Sequence, residues 1–82
     1  MIDVLYFAWL RERIGAPKEQ IDTTAETVAD LVEYLKTRSD AHALAFSDMA
    51  SVRVAIDQEL TEMSAPLAGA REVAFFPPMT GG

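Results

Sequence analysis

Eighty-two residues make one small domain, with room for a single modest core. Half of the residues are hydrophobic and 24% are charged, which is a globular composition and not a disordered one. There is no cysteine, which removes disulfides, thiolate metal sites, thiol nucleophiles and redox switches together, and 13 acidic against 7 basic residues leave a net charge of −6 that disfavours nucleic acid and anionic membranes as partners. No apolar run approaches the roughly 20 residues that span a bilayer. The opening MIDVLYFAWL also lacks the basic lead-in of a signal peptide. A cytoplasmic location is expected.

The near-continuous apolar run from Ile2 to Trp9 predicts a strand with little solvent exposure. Leu10 to Gly15 is short enough for one helical turn, broken at Gly15-Ala16-Pro17. Lys18 to Thr23 alternates weakly and predicts a second, hairpin-connected strand. Val28, Leu31, Val32 and Leu35 then form the stripe of an amphipathic helix over about residues 25–39. Thr23 with Glu26 has capping-box spacing, and Thr24 or Thr27 would serve equally as the cap. Asp40 to Met49 is a second, shorter helical segment with Ala43, Leu44 and Phe46 to bury. Val52, Val54 and Ile56 alternate with polar or small residues as a half-buried strand. Asp57-Gln58-Glu59 turns into a short strand around Leu60–Glu62. Ala65 to Gly69 is a loop, and Arg71 to Phe76 is a last strand stopped by Pro77-Pro78. The order is that of an α+β domain in which one main helix packs across one face of a mixed sheet.

Little inside this domain suggests chemistry. His42 is the only histidine, and surface or helix packing is a better reading for it than ligand or base. Glu59 and Glu62 read as solvated charges. Ser39, Ser47, Ser51 and Ser64 lie in turns outside any nucleophile motif, and Gly15, Gly69, Gly81 and Gly82 make no phosphate loop. No metal site is expected.

Alternation along the strands separates two faces. Ile2, Val4 and Tyr6 share one, and Asp3, Leu5, Phe7 and Trp9 the other, which Asp3 marks as the outer. Val73 and Phe75 then point inward, and Glu72, Ala74 and Phe76 outward. Phe7 and Phe76, with Leu5 and Leu60, would form an exposed apolar patch of the kind that marks a protein interface. The competing reading covers them with a loop or the short second helix. Arg11, Arg13 and Arg53 are candidate charged contacts at its rim.

The ending concentrates the remaining signal. After the strand, Pro77-Pro78-Met79-Thr80-Gly81-Gly82 favours an extended exit that reaches at most about 20 Å. The final two residues carry no side chain, so they can thread a narrow channel and present an unhindered carboxylate. The expected organisation is a domain over residues 1–76 and a flexible tail over 77–82.

The opening IDVLYFAWLRERIG, the helix TVADLVEYL and the ending EVAFFPPMTGG together resemble the small, sulfur-carrying subunits of molybdopterin synthase, within the β-grasp (ubiquitin-like) superfamily. The resemblance covers essentially the whole domain. It departs at Gly69-Ala70-Arg71-Glu72, where a Gly-Asp-Glu turn is usual, and at Asp57-Gln58, where Asn often opens the turn. It implies a β-grasp fold with a mixed sheet of four to five strands. It also implies a sulfur carrier in molybdenum cofactor biosynthesis that is not an enzyme by itself.

In that reading an E1-like adenylating partner uses ATP to activate the Gly82 carboxylate, and a sulfur donor displaces AMP to leave a thiocarboxylate. Pro77, Pro78, Met79, Thr80 and Gly81 would lie inserted in the large synthase subunit while sulfur passes to the cyclic pterin precursor. Two small and two large subunits would form a heterotetramer, with Leu5, Phe7, Leu60, Phe76 and Arg11 as docking residues. No cofactor would be bound by this chain. A ubiquitin-like modifier conjugated through Gly82, a carrier for another sulfur pathway and a plain interaction module remain as alternatives.

Overall fold

Strand β1 spans Ile2–Tyr6 and turns Ile2, Val4 and Tyr6 into the core. The structure is a computed structural model that describes residues 1–78. The first strand stops three residues earlier than its apolar run suggests. The Phe7 N–H donates to the Phe75 carbonyl at 3.1 Å, and Ala8 then takes a left-handed φ of 54°. That conformation costs an alanine about 1–2 kcal/mol and turns the chain off the sheet into helix α1, Ala8–Ile14. Trp9 therefore leaves the outer face and packs against the core, with the Arg13 guanidinium 5.2 Å from its ring. Gly15 ends the helix at φ 89°, its N–H donated to the Arg11 carbonyl.

Strand β2, Lys18–Ile21, pairs antiparallel with β1. Helix α1 fills the connection, where the sequence suggested a helical turn, and the two strands are antiparallel neighbours as expected. Helix α2 spans Val28–Lys36 and buries the whole stripe of Val28, Leu31, Val32 and Leu35. Thr27 is its cap, accepting the Asp30 N–H at 3.2 Å. The helix begins later than expected because the chain stays extended through Thr27, which bridges Pro66. Ser39 caps a second short helix, α3, over Asp40–Ala45. Its phase buries His42 and Ala45, with Phe46 just beyond, and leaves Leu44 58% exposed. Leu44 is thus not the core residue that composition suggested.

A 3₁₀ turn at Met49–Ser51 leads to β3 (Arg53–Ile56), β4 (Glu59–Thr61) and β5 (Glu72–Phe76). The five strands form one sheet in the order β2-β1-β5-β3-β4, with β1 and β5 parallel and the other neighbours antiparallel. The α2 stripe joins Val4, Tyr6, Val54, Val73 and Phe75 in one buried cluster. Each such side chain contributes about 1.5–3 kcal/mol when taken from water. Among the described residues, no helix is long and apolar enough to cross a membrane.

Strand β2 carries a charged side chain onto this inner face. Register places Glu19 opposite Val4, so its carboxylate lies under α3. There it accepts the Tyr6 hydroxyl at 2.8 Å, meets His42 Nε2 at 2.7 Å and pairs with Arg38 at 3.2 Å. Ser39 Oγ holds the other histidine nitrogen, Nδ1, at 2.7 Å. His42 is therefore a helix-packing residue, as its solitary occurrence suggested.

Partial burial raises the Glu19 pKa, but the hydrogen bonds from His42 and Tyr6 and the charges of His42 and Arg38 outweigh it and leave the carboxyl below its ordinary value of 4.5. A carboxyl shifted down stabilises the fold fully above its unfolded pKa and loses that contribution as pH falls through the folded one. Glu19→Gln is expected to lower stability by about 2 kcal/mol at pH 7 and to flatten the acid limb below about pH 4.5. Thermal unfolding followed by circular dichroism from pH 7 to 3 checks this. Parallel pH profiles for the two proteins would refute it.

Candidate functional site

Residues paired across neighbouring strands share a face of the sheet, so the registers define the outer surface row by row. Lys18, Leu5, Ala74, Ala55 and Leu60 form one continuous row through β2, β1, β5, β3 and β4. Phe76 stands in the next row opposite Arg53, and Phe7 follows Tyr6 at the end of β1. On the other side of the long row, Asp3 lies between Gln20 and Glu72. The expected assignment of inner and outer faces is therefore correct for β1 up to Phe7 and for the whole of β5.

Two alanines occupy the middle of the long row and larger side chains flank them. The result is a shallow groove lined by Leu5, Phe7, Ala74, Phe76 and Pro77, with Gln58 and Glu72 also on its wall. Phe7 is 45% exposed and Leu60 73%. Neither the loop after β4 nor α3 lines this groove. Ala74 is buried despite facing outward, because its neighbours on the central strands cover so short a side chain. Arg53, exposed opposite Phe76, and Glu72 on the groove wall bring charge to its edge. Lys18 and Asp3 make an exposed pair at 3.5 Å, of the kind that contributes little to stability.

Of the residues singled out in the sequence, Leu5, Phe7 and Phe76 come together in the groove, and Pro77 joins them at its end. Leu60 lies on the same face, in the long row, but outside the groove. Arg11 does not line it either and projects, exposed, from α1. Pro78 is half-buried. Met79, Thr80, Gly81 and Gly82 lie outside the described residues. Among those described, no three histidine or carboxylate side chains cluster as a metal site.

The β3–β4 turn was legible as a turn, but not its role. Ile56 pairs with Glu59, leaving Asp57 and Gln58 as a two-residue loop with φ of 49° and 72°. These are the angles of a type I′ hairpin turn. Asp57 Oδ1 accepts the N–H groups of Arg71 and Glu72, both at 3.0 Å, and the Asp57 N–H donates to the Glu72 carbonyl at 2.9 Å. One side chain therefore fastens the start of β5, the strand that carries the groove and leads to the tail. Only the lateral placement of β5 beside β3 reveals this contact.

A mixed sheet of this order, closed over one principal helix and bearing an apolar outer face, defines a β-grasp domain of the ubiquitin-like type. The chain belongs to the ThiS family, whose profile matches residues 4–82. Over all 82 residues and the full length of each relative, it is 40% identical to the molybdopterin synthase sulfur carrier subunit of Escherichia coli (strain K12) and 38% identical to that of Haemophilus influenzae. Among solved structures it is similar to SAMP1 from Haloferax volcanii, with a TM-score of 0.74, 25% identity and coverage of 99% of this chain and 98% of that one. It is also similar to a Pyrococcus furiosus protein named as molybdopterin converting factor, subunit 1, with a TM-score of 0.76, 27% identity and coverage of 95% and 97%. The resemblance carried by the opening, the helix and the ending thus extends over the whole chain.

Removing the Asp57 carboxylate leaves two β5 N–H groups without their partner. Asp57→Ala is expected to cost about 2 kcal/mol, since it also puts a less tolerant side chain at positive φ. Asp57→Asn keeps both an acceptor and the tolerance and should recover more than half of that loss. Urea unfolding of the two variants measures the difference, and equal losses would refute the clamp.

Proposed function

We propose that this chain is the sulfur carrier subunit of a molybdopterin synthase and acts through its carboxy-terminal glycine. The observation that carries the proposal is its 40% identity, end to end, with a relative of that name. The ending Phe75-Phe76-Pro77-Pro78-Met79-Thr80-Gly81-Gly82 supports it chemically, because a carboxylate at the end of two glycines has no side chain beside it to hinder attack. A chain without cysteine has no thiol to hold sulfur, so its carboxylate is the reasonable carrier.

A carboxylate is a poor electrophile. In the proposed cycle an E1-like enzyme joins the Gly82 carboxylate to the adenylyl group of ATP with loss of pyrophosphate, which installs AMP as a leaving group. A sulfur donor displaces AMP and leaves a thiocarboxylate. The tail from Pro77 to Gly81 then delivers Gly82 into the large subunit, where sulfur passes to the cyclic pterin precursor. General acid and base groups come from that partner. ATP belongs to the activating enzyme, and this chain binds no cofactor of its own.

The outer face is the proposed docking surface, with Leu5, Phe7, Leu60 and Phe76 as contacts and Arg11 at the rim. Two copies with two large subunits form the proposed assembly, acting in the cytoplasm.

Intact mass after incubation with the cognate adenylating enzyme, ATP and a sulfur source tests the carrier role. The expected shift is replacement of one oxygen by sulfur, mapped to the peptide containing Gly82. ATP-dependent adducts on other proteins, without that shift, would favour a modifier instead. Deleting Gly82 or adding one residue after it should abolish sulfur transfer and leave the unfolding transition unchanged. Retained synthase activity in either variant would sink the mechanism. Phe76→Ala should weaken binding to the large subunit by more than about 1 kcal/mol, as for a buried aromatic anchor, and calorimetric titration reads this directly.

A further inference from the structure

The two residues of the β3–β4 turn hold the same unfavourable backbone conformation for different returns. Type I′ turns favour Asn or Asp followed by Gly, because both central residues need positive φ. Asp57 suits its place, and its carboxylate bonds two N–H groups of the last strand. Gln58 does not suit its place. It has a φ of 72° where glycine is preferred. It is exposed, and its side chain makes no hydrogen bond among the described residues. Nothing within those residues offsets the strain of keeping a long side chain there.

Gln58 nevertheless has a definite location. With Glu72 it lines the apolar groove that also holds Leu5, Phe7, Ala74, Phe76 and Pro77. Glu72 begins β5 and Pro77 follows its last residue. The groove therefore runs along the central strand for five residue steps, about 16 Å at roughly 3.3 Å each. Its far end is the root of the tail, and Gln58 stands at the near end. Strained backbone positions of this kind cluster at active sites, ligand clamps and switch regions.

We infer that Gln58 is a specificity-determining contact of the docking face, whose carboxamide pairs with a peptide group of the large synthase subunit. An uncharged amide offers one acceptor and two donors side by side, which matches the N–H and C=O of an exposed backbone segment better than it matches a charged side chain. The apolar groove supplies affinity without direction. A hydrogen bond at the end opposite the tail sets where along β5 the partner sits, and hence how far the tail enters it. This inference rests on the reading of the outer face as the surface for the large subunit.

The test sets stability against binding. Gln58→Gly relieves the positive φ, so Tm should rise by about 3–5 °C, while Kd for the purified large subunit weakens about 5–10-fold from the lost hydrogen bond. A merely structural residue cannot give those opposite signs. Gln58→Glu keeps the shape but loses both donors, and should weaken binding at least as much without the gain in Tm. Unchanged Kd in Gln58→Gly, with Phe76→Ala still weakening binding, overturns the role of Gln58 and leaves the docking reading intact. Unchanged Kd in Phe76→Ala removes the docking face itself and the inference with it.

Discussion

Parallel pairing of Asp3–Tyr6 with Glu72–Phe75 joins strands from opposite ends of the chain. Closing so long a loop costs entropy that local contacts cannot supply, and it is offset by what the pairing buries. Val4, Tyr6, Val73 and Phe75 all meet the core on one side of it. On the other side the same register sets Leu5 beside Ala74 and brings the end of β1 near Phe76. Core and groove are thus the two faces of a single pairing. A slip by one residue would turn the buried set outward and the groove residues inward, so the hydrophobic core enforces the geometry of the surface.

The aromatic centre secures that arrangement. Tyr6 and Phe75 lie stacked with ring centroids 6.4 Å apart, and Phe46 meets Phe75 edge-on at 5.0 Å. Burial of Tyr6 first, and the adjacent Glu19 carboxylate second, push its phenol pKa upward, so the hydroxyl remains a donor. Glu19 in turn holds His42 and Arg38. A buried polar group costs several kcal/mol unless bonded (about 2–7 from transfer data), and among the described residues no buried side-chain polar atom lacks a partner. The network ties α3, through His42, to β2, through Glu19.

Division of labour follows from this design. The side chains of the domain build a handle with an apolar groove on its outer face, while the proposed chemistry uses the main-chain carboxylate of Gly82. The handle need only hold the exit of β5 at a fixed place and register. The clamp from Asp57 to the start of β5 and the bond from Phe7 to Phe75 near its end serve that purpose from the two sides of the strand.

Local patterns determined much of this protein without any fold. The spacing of Val28, Leu31, Val32 and Leu35 specified the main helix, alternation separated Leu5 and Phe76 from Tyr6 and Phe75, and Pro77-Pro78 marked where β5 ends. The final glycines suggested the proposed chemistry, because freedom from side chains is a property of the residues themselves. Tertiary structure decided what depends on contacts between distant segments. Trp9 joined a helix because Phe7 bonds to Phe75 and Ala8 turns the chain away. Leu44 faced water because the Ser39 cap sets the phase of α3. Glu19 met His42 because strand register put a carboxylate on the inner face. Gln58 reached the groove only because β3 lies beside β5. Periodicity reports which residues share a face, whereas strand order decides which faces meet, and pairing across the length of the chain leaves no mark in local sequence.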